Sequence, residues 1–553
     1  MSTSPFSGSL SGHGGSQAVT VARHHGADTM FTLSGGHVFP LYDGAVRPEP
    51  RMRLVDVRHE QTAVFAAEGI GKLTRRAGWA VLTAGPGVTN GVSGIATAYF
   101  SGSPLVVLGG RAPDGRWGQG LLQELDQPPL LAPVTKRAWT VHGVAGIGAA
   151  VDEAFTLANS AHRGPVFLDV PMDHLYDQAE VELAGAAEEV GRTPDPDAVA
   201  AVARLLGEAR HPLFVFGSDV WLDGAEEAAL RVAEHLGIPV VANGQGRGVL
   251  PAGHPLLVSR ARGAAFGQAD LVVVVGTPLD FRIRHGLFGG QDGAPLARVV
   301  HVTDSPGQVA GHLTLAGSVS GDLTAALTAI GDAAKPRPEV AEWRSRLAEA
   351  AKAAAAADAE ALASTSDPIH PARIYGELNR VLDDDAVVIG DGGDFVSYAG
   401  KYVEPRRPGN WLDPGPFGCL GTGMGYSVAA RLARPSAQVV TLLGDGAAGF
   451  SLMDVDTLVR HDLPVVMVCG NNGVWGLEQA PMRLVYGYDV AAELRPGTRY
   501  DEVVRALGGG GELVTDPEEI GPALRRAFDS GVPYLVNIVT DPENVYPRAT
   551  MGV

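Results

Sequence analysis

Short apolar, β-branched runs recur along the whole chain, each closing on Gly, Pro, Asp or Asn and each followed by an Ala-rich amphipathic stretch. WAVLTAGPG, PLVVLGG and PVFLDVP occupy the first third, PLFVFGS, IPVVANG, DLVVVVG and RVVHVTD the middle, and AVVIGDGG, VVTLLGDG, PVVMVCGNN and YLVNIV the last. Continuous apolar runs of this kind suit strands buried on both faces, and the intervening helical pattern supplies the crossovers, so the expected fold class is α/β with three doubly wound parallel-sheet domains. At 553 residues the chain is too long for one core. Acidic and proline-rich stretches mark the joins. The expected units are a disordered Ser/Gly-rich tail over 1–16, domains over 17–185, 192–335 and 371–542, a helical linker over 336–370 and a C-terminal segment over 543–553 poised as a lid.

Composition narrows the classes. A net charge of −19 without a clustered basic stretch argues against nucleic acid as a partner. The two cysteines, Cys419 and Cys469, lie in apolar or Gly-rich segments and exclude a disulfide framework, which suits a cytoplasmic location. No apolar run has membrane-spanning length, so no membrane partner is expected.

The chemistry concentrates where runs end. Gly444-Asp445-Gly446 closes one run, and Asn471-Asn472 closes the next, with Asn472 falling 27 residues after Asp445. A carboxylate and an amide oxygen at the ends of neighbouring strands suit Mg²⁺, which takes oxygen ligands and shares them with phosphate. The glycines let backbone N–H groups approach a pyrophosphate. Upstream, Arg58-His59-Glu60-Gln61 precedes Thr83-Ala84-Gly85-Pro86-Gly87-Val88-Thr89-Asn90.

Together these motifs resemble the decarboxylase-like thiamine diphosphate enzymes, in the order pyrimidine-binding, central Rossmann-like and diphosphate-binding domain. The resemblance implies thiamine diphosphate and Mg²⁺ as cofactors, with Asp445 and Asn472 as metal ligands through side chains and Val474 through its carbonyl. Gly444 and Gly446 flank the diphosphate, and Pro86 and Asn90 belong to the pyrimidine side. It implies further that Glu60 touches the aminopyrimidine, where a carboxyl stabilises the imino tautomer that removes the thiazolium proton. Leu420, within Phe417-Gly418-Cys419-Leu420-Gly421, aligns with the apolar residue that bends the cofactor. The cofactor of this family lies between chains, so a homodimer or homotetramer is implied.

Within the family, Gln123-Glu124-Leu125-Asp126-Gln127, the segment from Thr277 and Pro405-Arg406-Arg407 resemble the acyl-CoA branch. The expected activity is therefore that of a 2-hydroxyacyl-CoA lyase, cleaving its substrate reversibly to formyl-CoA and an aldehyde or ketone; acetohydroxyacid synthase and oxalyl-CoA decarboxylase are the alternatives. The acyl-CoA substrate would be held by Arg406, Arg407 and Arg548, and ADP in the central domain by Asp304, Arg262, Arg282 and Arg284. Gln123, Glu478 and Glu493 join Glu60 as catalytic candidates, the two glutamates as acceptors for the substrate hydroxyl proton, with His37 a further candidate. One departure points elsewhere: Ser34-Gly35-Gly36-His37-Val38-Phe39-Pro40 is closer to the PGG-x-x-x-P of acetohydroxyacid synthases.

Overall fold

Each of the three groups of apolar runs forms one all-parallel sheet. The computed structural model describes residues 5–47, 50–185 and 192–547. The first sheet runs in the order Arg53–Asp56, Thr29–Thr32, Gly78–Leu82, Leu105–Arg111, Pro165–Pro171, Arg137–Thr140. The second runs Val240–Ala242, Pro212–Phe216, Leu271–Val275, Arg298–Thr303, Gly317–Ser320, and the third Trp411–Leu412, Val387–Asp391, Val439–Gly444, Val466–Asn471, Tyr534–Val539, Gly510–Val514. The strand Leu271–Val275 is buried at every position, as a run of leucine and valine covered by helices on both faces must be.

The N-terminal segment corrects the expected disordered tail. Gly8–His13 is a strand, paired antiparallel with Gln178–Leu183 so that Leu10 lies opposite Val181. Its low hydrophobicity misleads because one residue does the anchoring: Leu10 is buried in the core of the first domain, and the Phe6 N–H donates to Asp152 at 2.7 Å. The Ala-rich stretch after the second sheet forms the helix Val340–Ala357, whose buried Trp343 donates to the Pro212 carbonyl at 3.0 Å and seats it on the central domain.

The first and third domains share one apolar core, whereas the central domain has its own. The shared core is built on two helices lying side by side in the same direction, Glu60–Thr74 and Thr422–Ala433. Gln61 reaches Leu420, Phe65 crowds Gly425, and Gly69 faces Ala429. The contact is closer than side chains would permit, since a Cβ at Gly69 would stand 2.6 Å from that of Ala429. Gly69→Val should therefore overpack the seam and destabilise by about 1–3 kcal/mol. A chemical-denaturation midpoint that does not move would contradict this account of the contact.

Candidate functional site

Asp445 and Asn472 stand one residue beyond adjacent parallel strands, Val439–Gly444 and Val466–Asn471, so strand register sets their separation. Asp445 is buried at the start of the helix Asp445–Ser451, where its carboxylate accepts from the Gly473 N–H at 2.7 Å and the Gly446 N–H at 2.9 Å. Burial pushes its pKa up to about 6 against the pull of those N–H groups. Gly473 reaches this position with φ of +71°, open to glycine at little cost. The Asn472 amide oxygen accepts from the Val474 N–H at 3.1 Å. A buried carboxylate with only backbone donors around it, beside an amide oxygen, is a donor set that a hard divalent cation completes.

These groups line a cavity of about 240 Å³ together with Gly392, Leu420, Trp475 and Glu478. Leu420 is held there from below. Asp391, at the end of its strand and fully buried, accepts from Gly421 N–H at 3.0 Å and Gly423 N–H at 2.8 Å, and burial raises its pKa to about 6. The Leu420 carbonyl also accepts from the Gln61 amide at 3.3 Å. Sequence reasoning missed Asp391, although its GDGG context repeats the later GDG.

On the first domain, Glu60 opens its helix behind the N-cap His59 and is 7% exposed. Asn90 donates to its carboxylate at 3.0 Å, and Pro86 is the first residue of the helix that carries Asn90. Two more loops converge on the same place. His37 lies buried against Thr83 at 3.2 Å, its pKa lowered by burial against the opposing pull of the Leu122 carbonyl. Gln123 packs on Gly85, where an added Cβ would meet it at 3.0 Å. Gln127, unassigned in the sequence, is the buried pin of that loop: it accepts from the Gly85 N–H at 2.9 Å and donates to Gly110 and Asp169. Asp169 is held in turn by Arg111 at 2.6 Å and Thr140 at 2.8 Å.

The remaining candidates separate. Glu478, exposed in the first turn of its helix, lines the Asp445 cavity; Glu493 is exposed on a neighbouring cavity with Arg483 and Gln479. Glu493 is there because its backbone bridges Val474. Glu60 does not line the Asp445 cavity of its own chain. Arg406 is exposed and paired with Asp384, Arg407 is exposed beside Gly248, and neither lines the Asp445 cavity. Of the nucleotide candidates, Arg282 lines a cavity of about 630 Å³ where all three domains meet, gripped by Asp280 at 2.7 Å. Arg262 is turned inward onto the Phe266 ring at 4.6 Å, and burial together with Arg247, Arg282 and Arg284 lowers its pKa to about 10. Arg284 is exposed. Asp304 is not free for a ribose, because both its oxygens engage His162 of the first domain at 3.0 and 3.1 Å. Arg548 lies outside the described residues; the segment before it is seated beside the site, with the Tyr546 N–H donating to Asp394 at 2.5 Å.

Three domain models of the thiamine pyrophosphate enzymes match this chain: the N-terminal TPP binding domain over residues 13–130, the central domain over 199–330 and the C-terminal TPP binding domain over 391–538. The chain belongs to the thiamine pyrophosphate enzymes, which use that cofactor with Mg²⁺. It is similar to the acetolactate synthase large subunit IlvG of Mycobacterium tuberculosis and to a probable acetolactate synthase of Mycobacterium bovis, each 51% identical over 97% of both chains. It is also similar to the human 2-hydroxyacyl-CoA lyase 2, at 33% identity over 95% of this chain and 90% of that one. The difference between 51% and 33% over near-complete lengths overturns the expectation of a 2-hydroxyacyl-CoA lyase. No described helix is long and apolar enough to cross a membrane.

Asp445→Ala should reduce Mg²⁺-dependent thiamine diphosphate binding by at least about 100-fold, beyond what loss of an outer-shell group costs a metal site. Calorimetric titration of purified protein checks it. Binding of near-native affinity in that variant would refute the placement of the site.

Proposed function

We propose that this chain is a transferase of the acetohydroxyacid synthase type, joining two 2-oxoacids with loss of CO₂, as in the formation of acetolactate from two molecules of pyruvate. The observation that carries this reading is the 51% identity, over 97% of both chains, to relatives named acetolactate synthase. The segment Ser34–Pro40 supports it, since His37 packs on Thr83 and so belongs to the loops around Glu60.

Thiamine diphosphate, when bound, supplies a thiazolium carbon nucleophile and an electron sink for the bond that breaks. Asp445 and Asn472 would hold the Mg²⁺ through oxygen, with the Val474 carbonyl, and Gly446 would leave room for the diphosphate. Leu420 would brace the cofactor's bend. The Glu60 carboxyl, oriented by Asn90, would exchange a proton with the ring nitrogen of the aminopyrimidine. His37, kept neutral by burial at ordinary pH, would offer a hydrogen bond without adding charge. Glu478 at the cavity wall is the carboxylate available to later proton transfers; Gln123 would face the substrate beside Gly85.

Because Glu60 and the Asp445 cavity are separate within one chain, the working unit in this reading is a dimer whose second chain brings Glu60 to the cavity. Exposed Phe450, in that cavity's helix, Met453 just after it, and exposed Leu122 and Phe39 fit such a contact. The crevice beside Arg282, at the carboxyl ends of the central strands, is the place for a nucleotide.

The reading is tested by incubating the enzyme, with Mg²⁺ and thiamine diphosphate, separately with pyruvate, oxalyl-CoA and a 2-hydroxyacyl-CoA. Acetolactate from pyruvate is the expected product, and formyl-CoA without acetolactate would overturn the proposal. Glu60→Gln should bind the cofactor yet lower the rate by about 100-fold or more. Near-native turnover would remove Glu60 from this role.

A further inference from the structure

On the first domain, away from the residues assigned above to the cofactor, two imidazoles and a carboxylate converge. Asp114 lies in the turn after the strand Leu105–Arg111, His142 follows Arg137–Thr140, and His174 sits in the short helix after Pro165–Pro171. These strands are neighbours, so three loops meet at their carboxyl ends. One Asp114 oxygen, Oδ2, stands 2.5 Å from His142 Nδ1 and 3.0 Å from His174 Nε2, and the three donor atoms all lie within 4.8 Å of one another.

We propose that Asp114, His142 and His174 form a binding site for a borderline first-row divalent ion such as Zn²⁺, distinct from the Mg²⁺ site at Asp445. Imidazole nitrogen and carboxylate oxygen are ligands that such ions take at about 2.0–2.2 Å, which in a tetrahedron sets donors about 3.3–3.6 Å apart, so Asp114 and His142 would exchange their hydrogen bond for the ion by parting about 1 Å, and three protein ligands leave a position for water.

One further observation fits a metal. His174 Nδ1, buried and without a hydrogen bond, lies 3.5 Å from the Asp177 carboxylate. An ion taken at Nε2, where the ring now meets Asp114 at 3.0 Å, would put the ring proton on Nδ1, toward a carboxylate placed to receive it, the arrangement that orients metal-bound histidines. Asp173 fixes the turn itself, accepting from the Asp114 and Gly115 N–H groups, both at 3.2 Å. The other His/Asp cluster among the described residues, His162 with Asp219 and Asp304, has one imidazole and two carboxylates and is unlike it: Arg163 and Arg192 share the carboxylate of Asp223 beside it, and Arg192 donates to the Asp304 carbonyl. An ion at Asp114 would tie the start of the loop that carries Gln123 and Gln127 to two neighbouring loops.

Tag-free, full-length enzyme saturated with Mg²⁺ and thiamine diphosphate is titrated with Co²⁺, following its visible absorption, and then with Zn²⁺ as competitor. One Co²⁺ per chain should bind, be displaced by Zn²⁺ and raise the melting temperature. His142→Ala, at a largely exposed side chain, and the near-isosteric Asp114→Asn should each weaken Co²⁺ binding at least tenfold, while His254→Ala, on the central domain, changes nothing. Absence of Co²⁺ binding beyond the cofactor site, or Co²⁺ binding unaltered in both Asp114→Asn and His142→Ala, would overturn the proposal.

Discussion

The buried pair of Lys72 and Glu68 is the interaction on which the three domains depend. Their charged atoms are 3.0 Å apart and almost wholly removed from water. Such a pair repays its desolvation only if the leftover lone pairs and protons are satisfied. Here they are: Tyr426 and Ser103 donate to Glu68, at 2.9 and 3.1 Å, and Lys72 donates to the Tyr426 hydroxyl at 2.9 Å. The Lys72 carbonyl accepts from Trp221 at 2.7 Å and Gln245 at 3.1 Å, so one residue touches all three domains. Removing one charge would leave the other buried alone, at about 3–5 kcal/mol.

That hub fixes the two parallel helices, and the helices fix the chemistry at their beginnings. Glu60 is the first residue of one, and Leu420 and Gly421 immediately precede the other. Asp391 and Gln61 then hold the Leu420–Gly421 backbone, so the position of Leu420 rests on the domain seam and not on loop stiffness. A small rotation at Gly69 and Gly425 would displace Glu60 and Leu420 together.

Much of this architecture was legible because it is local. A parallel strand buried on both faces announces itself as a continuous apolar run, and a GDG or NN at its end falls beside the neighbouring strand end by register alone. What was not legible is long-range pairing. Nothing in the composition of Gly8–His13 points to a partner 170 residues away in register, and nothing in the sequence around Asp304 shows that His162 occupies its carboxylate. Glu478 and Glu493 were both candidates from the sequence; the Val474 backbone bridge is what puts Glu493 on a neighbouring cavity while Glu478 lines that of Asp445.

The choice among reactions failed for a physical reason as well. The short stretches that suggested the acyl-CoA branch are, in this fold, chiefly structural. Gln127 of QELDQ pins Gly85, Gly110 and Asp169, and Arg406 pairs with Asp384. Residues with such duties can persist whatever the substrate. The departure at Ser34–Pro40 was the better guide because those residues are packed against Thr83 and the loop beginning at Leu121, beside Glu60's partner helix. One motif can hold both kinds of residue: Gln127 braces the turn at Gly85 while Gln123 lies against the same glycine, so fold and chemistry separate only side chain by side chain. In this chain the distinction lies in the contacts of each side chain, which spacing alone does not encode.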